Sequence, residues 1–176
     1  MADKLTAEHR SWLMARIRSR DTTPEWVLRS GLHRLGFRFR VHPKGLPGKP
    51  DLVLPKHGAV VFVHGCFWHR HRNCRRASTP KSNEAYWADK FERNVKRDER
   101  NRRRLRREGW RVVVVWECQL LDRTVATVER VARTLLKGSQ APNAPASYTA
   151  ALDRRGLLKA AEERVQYRLN NESGAS

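Results

Sequence analysis

Residues 64 to 74 read HGCFWHRHRNC, a run with three histidines, two cysteines and two large aromatic rings. Thiolate and imidazole are the ligands that zinc takes in tetrahedral structural sites. Cys66, His71 and Cys74 supply three donors of that kind, and the distant Cys118 supplies a fourth. The competing reading makes the cysteines small buried hydrophobes. The polar, basic character of residues 65 to 76 offers no core for Cys74, and one four-ligand site uses all three cysteines of the chain. Zinc is therefore the expected structural ion. His64 and His69 are left over, and imidazoles beside a metal loop suit acid–base work near neutral pH.

A second chemical signal is LPGKPDLVL, which places Asp51 at the head of an apolar strand. Nucleases of the PD-(D/E)xK class begin this way, with an aspartate that holds Mg²⁺ against a phosphate. Phosphodiester hydrolysis needs neutralised phosphate charge, an activated water and a stabilised leaving oxygen, which two Mg²⁺ ions about 3.5–4 Å apart provide. Mg²⁺ takes oxygen ligands. The next strand, VVFVHG, carries no E-x-K, so the pattern of that class is incomplete here. A Pro-Asp pair is also a common turn element.

The bulk composition says what partner suits such a site. Lys and Arg number 37 against 18 Asp and Glu, a formal net charge of +19 over 176 residues. Charge of this size bears on partners rather than on fold. Nucleic acid fits best, because neutralising phosphates releases condensed counterions. No apolar stretch approaches the ~18 residues of a spanning helix. The N-terminus MADKLTAEHR lacks the apolar segment of a secretory signal. A cytoplasmic, nucleoid-associated protein without a membrane partner is expected, and reducing conditions there disfavour disulfides.

Several elements must position these groups. A basic helix is expected near residues 9 to 20, carrying Trp12, Leu13, Met14 and Ile17. A second helix starts either with Thr23 as N-cap and Pro24 first inside, or with the capping box Thr22–Glu25. Leu28, Leu32 and Leu35 recur at helical spacing up to Gly36. FRFRV at 37–41 alternates like a half-buried strand, and DLVL (51–54) and AVVFVH (59–64) flank PKHG as adjacent strands. A charged helix follows from about Glu84 to Glu108 and stops at Gly109. WRVVVVWE at 110–117 reads as a central strand buried on both faces, and 124–137 as an amphipathic helix. The sum is an α/β fold with a mixed central sheet flanked by helices. Residues 1–137 form the expected domain, with 1–20 as its basic N-terminal helix region. Residues 138–149 are a linker of Gly, Pro, Ala and Ser, and 150–176 an accessory C-terminal helix and tail.

PGKPD, VFVHGCFWH, NVKRD and GWRVVVVWEC together resemble the very-short-patch-repair (Vsr) mismatch endonucleases over about residues 8 to 137. The resemblance implies a PD-(D/E)xK restriction-endonuclease-like fold without the second carboxylate. It implies an enzyme that nicks one strand of double-stranded DNA 5′ to the thymine of a T:G mismatch, and a monomer suits so asymmetric a lesion. Asp51 would bind Mg²⁺ with the main-chain carbonyl of Val63, a position more commonly threonine. His69 would be the general base or acid. Glu25 and His64 would hold metal-bound waters, with Asp98 joining them. Cys66, His71, Cys74 and Cys118 match the zinc ligands. Phe67, Trp68 and Trp87 match the intercalating rings, and Met14 the wedge from the minor-groove side. Periodicity alone makes Trp87 a core residue and Glu25 a helix cap. Two other readings stand beside this one: a non-catalytic zinc-containing DNA-binding module, and a nicking nuclease with a different mismatch or sequence context.

Overall fold

The computed structural model describes residues 20–137. The expected helix at 9 to 20, with Met14, and the segments at 138–149 and 150–176 lie outside the described residues, Arg20 excepted. In chain order the elements are helix α1 (Thr23–Arg34), strands β1 (Arg40–Val41), β2 (Leu52–Leu54) and β3 (Ala59–His64), helix α2 (Glu84–Arg107), strand β4 (Arg111–Trp116), and helices α3 (Glu117–Asp122) and α4 (Thr124–Leu136). The strands form one mixed sheet in the order β1-β2-β3-β4. The β1–β2 and β2–β3 pairs are antiparallel, and β3–β4 is parallel.

Alternation along the strands sends side chains to opposite faces. Leu52, Leu54, Ala59, Val61, Val113 and Val115 pack with Val27, Leu28 and Leu32 of α1 and Val128, Val131 and Leu135 of α4. Val53, Val60, Phe62 and Leu105 of α2 make a smaller cluster on the other face. His64 shares that second face with Phe62 by the same alternation, which directs it toward α2. Helices therefore cover both faces of the sheet, the α/β arrangement expected from the sequence.

Of the two starts open for α1, the structure takes the Thr22–Glu25 box: Glu25 Oε1 accepts from the Thr22 amide at 3.3 Å and from Thr22 Oγ1 at 2.9 Å. At the other end the Phe37 amide donates to the Leu32 carbonyl at 3.0 Å. That bond, with the Phe37 ring in the core, takes residue 37 out of the strand expected at 37–41, and only Arg40 and Val41 pair with β2. A 3-10 turn at Pro55–His57 and Gly58, in the left-handed region at φ 55, link β2 to β3.

The placement of 110–117 also departs from expectation. β4 is the edge strand among the described residues, and β3 is interior. Its valine run reflects the helices over both sheet faces, not a central position in the sheet. The chain then turns directly into the short helix α3, so Cys118 lies in a first helical turn. The 24-residue α2 buries only Trp87, Phe91 and Leu105. Its exposed flanks carry i,i+4 ion pairs, among them Asp89–Arg93 and Glu92–Lys96, both at 2.6 Å, which solvent screens strongly. No described helix is long and apolar enough to cross a membrane.

Candidate active site and metal centre

The antiparallel β2–β3 pair sets the head of β2 beside the tail of β3. The Asp51 amide donates to the Val61 carbonyl at 3.0 Å, and Asp51 Oδ2 accepts from the Val63 amide at 2.7 Å. The Asp51 carboxylate and the Val63 main chain are thus neighbours, as the sequence reading requires. Asp51 is only 16% exposed in its side chain. Burial, reinforced by the negative charge of Glu25, pushes its pKa up to about 7. A carboxylate destabilised in its charged form beside a second acid is a place where a hard cation is welcome. The oxygen donors present fit such an ion.

On the α2 side of β3 stands a second group. His64, His69 and Asp98 bring their ligand-type atoms within 4.8 Å of one another. His69 Nδ1 lies 2.5 Å from Asp98 Oδ2. Burial works against the Asp98 charge, but the His69 hydrogen bond and charge outweigh it and hold the carboxyl below its ordinary pKa. An ionised carboxylate only accepts, so Nδ1 of His69 carries the proton and Nε2 is left as the basic atom. The His64 ring stacks on His69 at 3.9 Å between centroids. Burial first, and the neighbouring His69 second, push the His64 pKa down to about 3. Two stacked imidazoles with different environments therefore have different capacities: His64 stays neutral, while His69 has a carboxylate to stabilise a proton gained.

Glu25 is 4% exposed, and both of its oxygens have partners. Its Oε2 receives Arg29 Nη2 at 2.6 Å and the Asp21 amide at 3.0 Å, while Oε1 closes the capping box. His42 Nε2 lies 3.3 Å from Glu25 Oε2, and His42 Nδ1 lies 3.8 Å from Asp51 Oδ1. Asp21, Arg29 and His42 were not singled out by the sequence. They meet here only through tertiary packing, and no local motif announces them.

The four proposed zinc ligands do converge. Donor atoms of Cys66, His71, Cys74 and Cys118 all lie within 4.8 Å of one another. His71 Nδ1 is 3.6 Å from the Cys66 Sγ and 3.3 Å from the Cys118 Sγ. Parallel pairing of β3 with β4 aligns His64 with Trp116, so both strand ends deliver cysteines to the same place. Glu117, also missed by sequence reasoning, ties the two ends together: its Oε2 accepts from the Cys66 amide at 3.0 Å. The His71 ring stacks on Trp116 at 4.2 Å. Burial pushes the Cys66 thiol up to about 12. Three sulfurs and an imidazole gathered at such cost to a thiolate are the donor set of a structural metal site, and the described residues can hold a metal ion here.

The loop between Cys66 and His71 also joins α2 in an aromatic cluster. Phe67 contacts Trp68 at 5.0 Å, Phe91 at 5.1 Å and Trp87 at 5.5 Å between ring centroids. Phe67 and Trp68 are half-buried, whereas Trp87 is only 5% exposed in the free protein. The Asn94 amide donates to the Trp68 carbonyl at 3.2 Å, fastening this loop to α2.

Comparison with known proteins agrees with this arrangement. The family model described as DNA mismatch endonuclease Vsr matches residues 2–76. The type II nicking enzyme V.XorIIP of Xanthomonas oryzae pv. oryzae is 52% identical over 122 residues, which is 69% of this chain and 89% of that protein. The type II nicking enzyme V.NmeAIP of Neisseria meningitidis is 43% identical over 125 residues, 71% of this chain and 89% of that protein. The DNA mismatch endonuclease Vsr of Escherichia coli K12 is 42% identical over 135 residues, 77% of this chain and 86% of that protein. With a mixed α/β sheet and relatives matched over most of their length, the chain belongs to the Vsr family of DNA mismatch endonucleases.

Proposed function

We propose that this protein is a Mg²⁺-dependent endonuclease that nicks one strand of double-stranded DNA 5′ to the thymine of a T:G mismatch. Such mismatches arise when 5-methylcytosine deaminates, and the protein acts on them in the cytoplasm as a monomer. The single observation that carries the reading is the meeting of Asp51 with the Val63 main chain, across β3 from the His69–Asp98 pair. Family membership supports the reaction class.

Asp51 and the Val63 carbonyl would hold Mg²⁺, two ions in the full site, with Glu25 and His64 orienting bound waters. Magnesium supplies charge neutralisation at the scissile phosphate and a more acidic water. The chain's own residues do the rest. His69 takes the proton of the attacking water on Nε2, and Asp98 stabilises the imidazolium through Nδ1–H. The water oxygen bonds to phosphorus as the P–O3′ bond breaks, and the departing O3′ takes a proton from solvent, leaving a 5′-phosphate and a 3′-hydroxyl. Neutral His64 packs against His69 and keeps the ring in place. One zinc ion on Cys66, His71, Cys74 and Cys118 would fix the loop that carries Phe67, Trp68 and His69.

A mismatch weakens stacking locally, and apolar wedges enter weakened steps at a cost of a few kcal/mol. Phe67, Trp68 and Trp87, which share one aromatic cluster, would take that role, and Met14 would approach from the minor-groove side. Basic side chains along α2 contact phosphates.

Asp51→Ala tests the metal assignment. Nicking of a labelled T:G duplex with Mg²⁺ is expected to disappear while duplex binding survives. A variant that cuts at the wild-type rate sinks the assignment. Running the wild type on a panel of mismatches and flanking sequences decides between T:G and another substrate, and absence of nicking on every duplex favours the binding module.

A further inference from the structure

Behind Asp51 lies a buried polar cluster that the proposed chemistry uses only through Glu25. Asp21, Glu25 and His42 bring ligand-type atoms within 4.8 Å of one another, which is the donor set of a cation site. A cation of the chain already occupies it. Arg29, 4% exposed, sends Nη1 to Asp21 Oδ1 at 2.5 Å and Nη2 to Glu25 Oε2 at 2.6 Å. Arg29 thus stands where a bound cation would, bridging the two carboxylates, and the cluster serves as a scaffold rather than a further metal site.

The same guanidinium decides the protonation of His42. Arg29 Nη2 lies 2.8 Å from His42 Nε2. A guanidinium carries donors and no acceptor. A proton on Nε2, pointed instead at Glu25 Oε2 3.3 Å away, would set two positive N–H groups against each other at 2.8 Å. Nε2 must therefore accept, and the single ring proton sits on Nδ1. That atom faces Asp51 Oδ1 at 3.8 Å, while Asp51 Oδ2 is held by the Val63 amide. His42 is fixed to Asp51 through its backbone as well, its amide donating to the Asp51 carbonyl at 3.2 Å. Its φ is 45°, in the left-handed region that non-glycine residues rarely occupy. Strain of this kind persists where surrounding structure over-determines it, and it gathers at functional sites.

We propose that His42 is a positioning residue for Asp51: Arg29 locks the ring in its Nδ1–H tautomer, and that N–H, 3.8 Å from Asp51 Oδ1, biases the orientation of the carboxylate through its dipole rather than through a direct hydrogen bond. The proposal rests on the reading of Asp51 as the cation-binding carboxylate. Histidines and carboxylates oriented from behind in this way typically control metal affinity or activity by about 10–100-fold.

Two measurements on the full chain test it. The first is a long-range ¹H–¹⁵N correlation spectrum of the imidazoles at neutral pH, without DNA or added magnesium. His42 is expected to show the Nδ1–H pattern, and an Nε2–H pattern overturns the tautomer lock. The second is a magnesium titration of nicking for the wild type, His42→Ala and His42→Asn. Alanine is expected to raise the half-saturating Mg²⁺ concentration at least about tenfold. Asparagine tolerates positive φ and presents an amide N–H near the Nδ1 position, so it recovers most of that loss. An unchanged half-saturation in His42→Ala, or an asparagine variant no better than alanine, overturns the positioning role. If alanine prevents folding, the asparagine variant decides alone, since a half-saturation near the wild-type value upholds the role and a tenfold rise rejects it. Failure of the wild type itself to nick removes the nuclease reading and leaves the tautomer to the spectrum.

Discussion

Replacing Asp98 with asparagine isolates the part of the site where geometry alone fixes a protonation state. Asp98 is 13% exposed in its side chain, and its Oδ2 lies 2.5 Å from His69 Nδ1. Asparagine keeps the size and removes the charge. Its amide can turn an N–H toward Nδ1, which forces the ring proton onto Nε2 and abolishes the basic atom. In the other amide orientation Nε2 stays free, but the imidazolium loses its counter-charge. The first outcome removes general-base assistance and the second weakens it, out of a contribution of about 10²–10⁴ in rate. At 1.36 kcal/mol per tenfold, the barrier rises by about 3–5 kcal/mol. The assay is single-turnover nicking of an end-labelled T:G duplex, with enzyme in excess and Mg²⁺ saturating, beside fluorescence anisotropy for duplex affinity. The expected result is a rate lower by that factor with affinity little changed, because the lost charge is negative and partly buried. A rate within about tenfold of wild type refutes the assignment of His69 as the base oriented by Asp98, since it falls below the range for such assistance.

Cys118→Ser is expected to lower bound zinc, measured by elemental analysis against one equivalent for the wild type. If free ion stands at about 1,000 times its Kd, binding stabilises the fold by about 4 kcal/mol, so losing the ion lowers Tm on the order of 10 °C for a chain of this size. Intact zinc content in that variant removes Cys118 from the ligand set. Gly31→Ala tests the packing of α1 on α4: a Cβ there would stand 2.7 Å from Val128 Cγ1 and 2.9 Å from Cγ2. Overpacking of this kind costs about 1–3 kcal/mol, readable by urea denaturation, and a neutral result shows that the helices separate more easily than this contact implies.

The local signals in the sequence carried furthest where chemistry and spacing coincided. The Thr22–Glu25 pair announced the start of α1, and the structure closes it with hydrogen bonds from both the amide and the hydroxyl of Thr22. Cys66, His71 and Cys74 lie within nine residues, so their convergence needed only a turn. Cys118 was placed by following a strand to its end, although it proved to sit in a helix. Periodicity misjudged what depends on partners. FRFRV alternates like a strand, but Phe37 is claimed by the core and by the end of α1. The valines of β4 speak of two covered faces and not of an edge. Arg29 and His42 were invisible for a related reason. An arginine on an amphipathic helix is ordinarily solvated, and nothing local shows that this one turns inward to meet two acids and an imidazole.

The parallel pairing of β3 with β4 explains why two chemically unlike centres occupy one end of the sheet. Register pairs Val63 with Val115 and His64 with Trp116, so both strands end at the same level. The residues that follow, Cys66 on one side and Glu117 and Cys118 on the other, must meet whatever the intervening helix does. Phe67, Trp68 and His69 then lie in the loop between two of the metal donors, Cys66 and His71. Backbone bonds from His69 to Gly65 and from His71 to Cys66, at 3.1 and 3.0 Å, wind this segment tightly. It has no apolar core of its own beyond the Phe67–Trp87–Phe91 cluster. Its rigidity therefore depends on the sulfur and imidazole cluster at one end and on α2 at the other, through Asn94 and Asp98. A loop held at both ends keeps His69 against Asp98 and His64 without a second acidic side chain on that strand. β3 itself carries no E-x-K motif, and its apolar run is followed by His64 at its end and by His69 in the clamped loop.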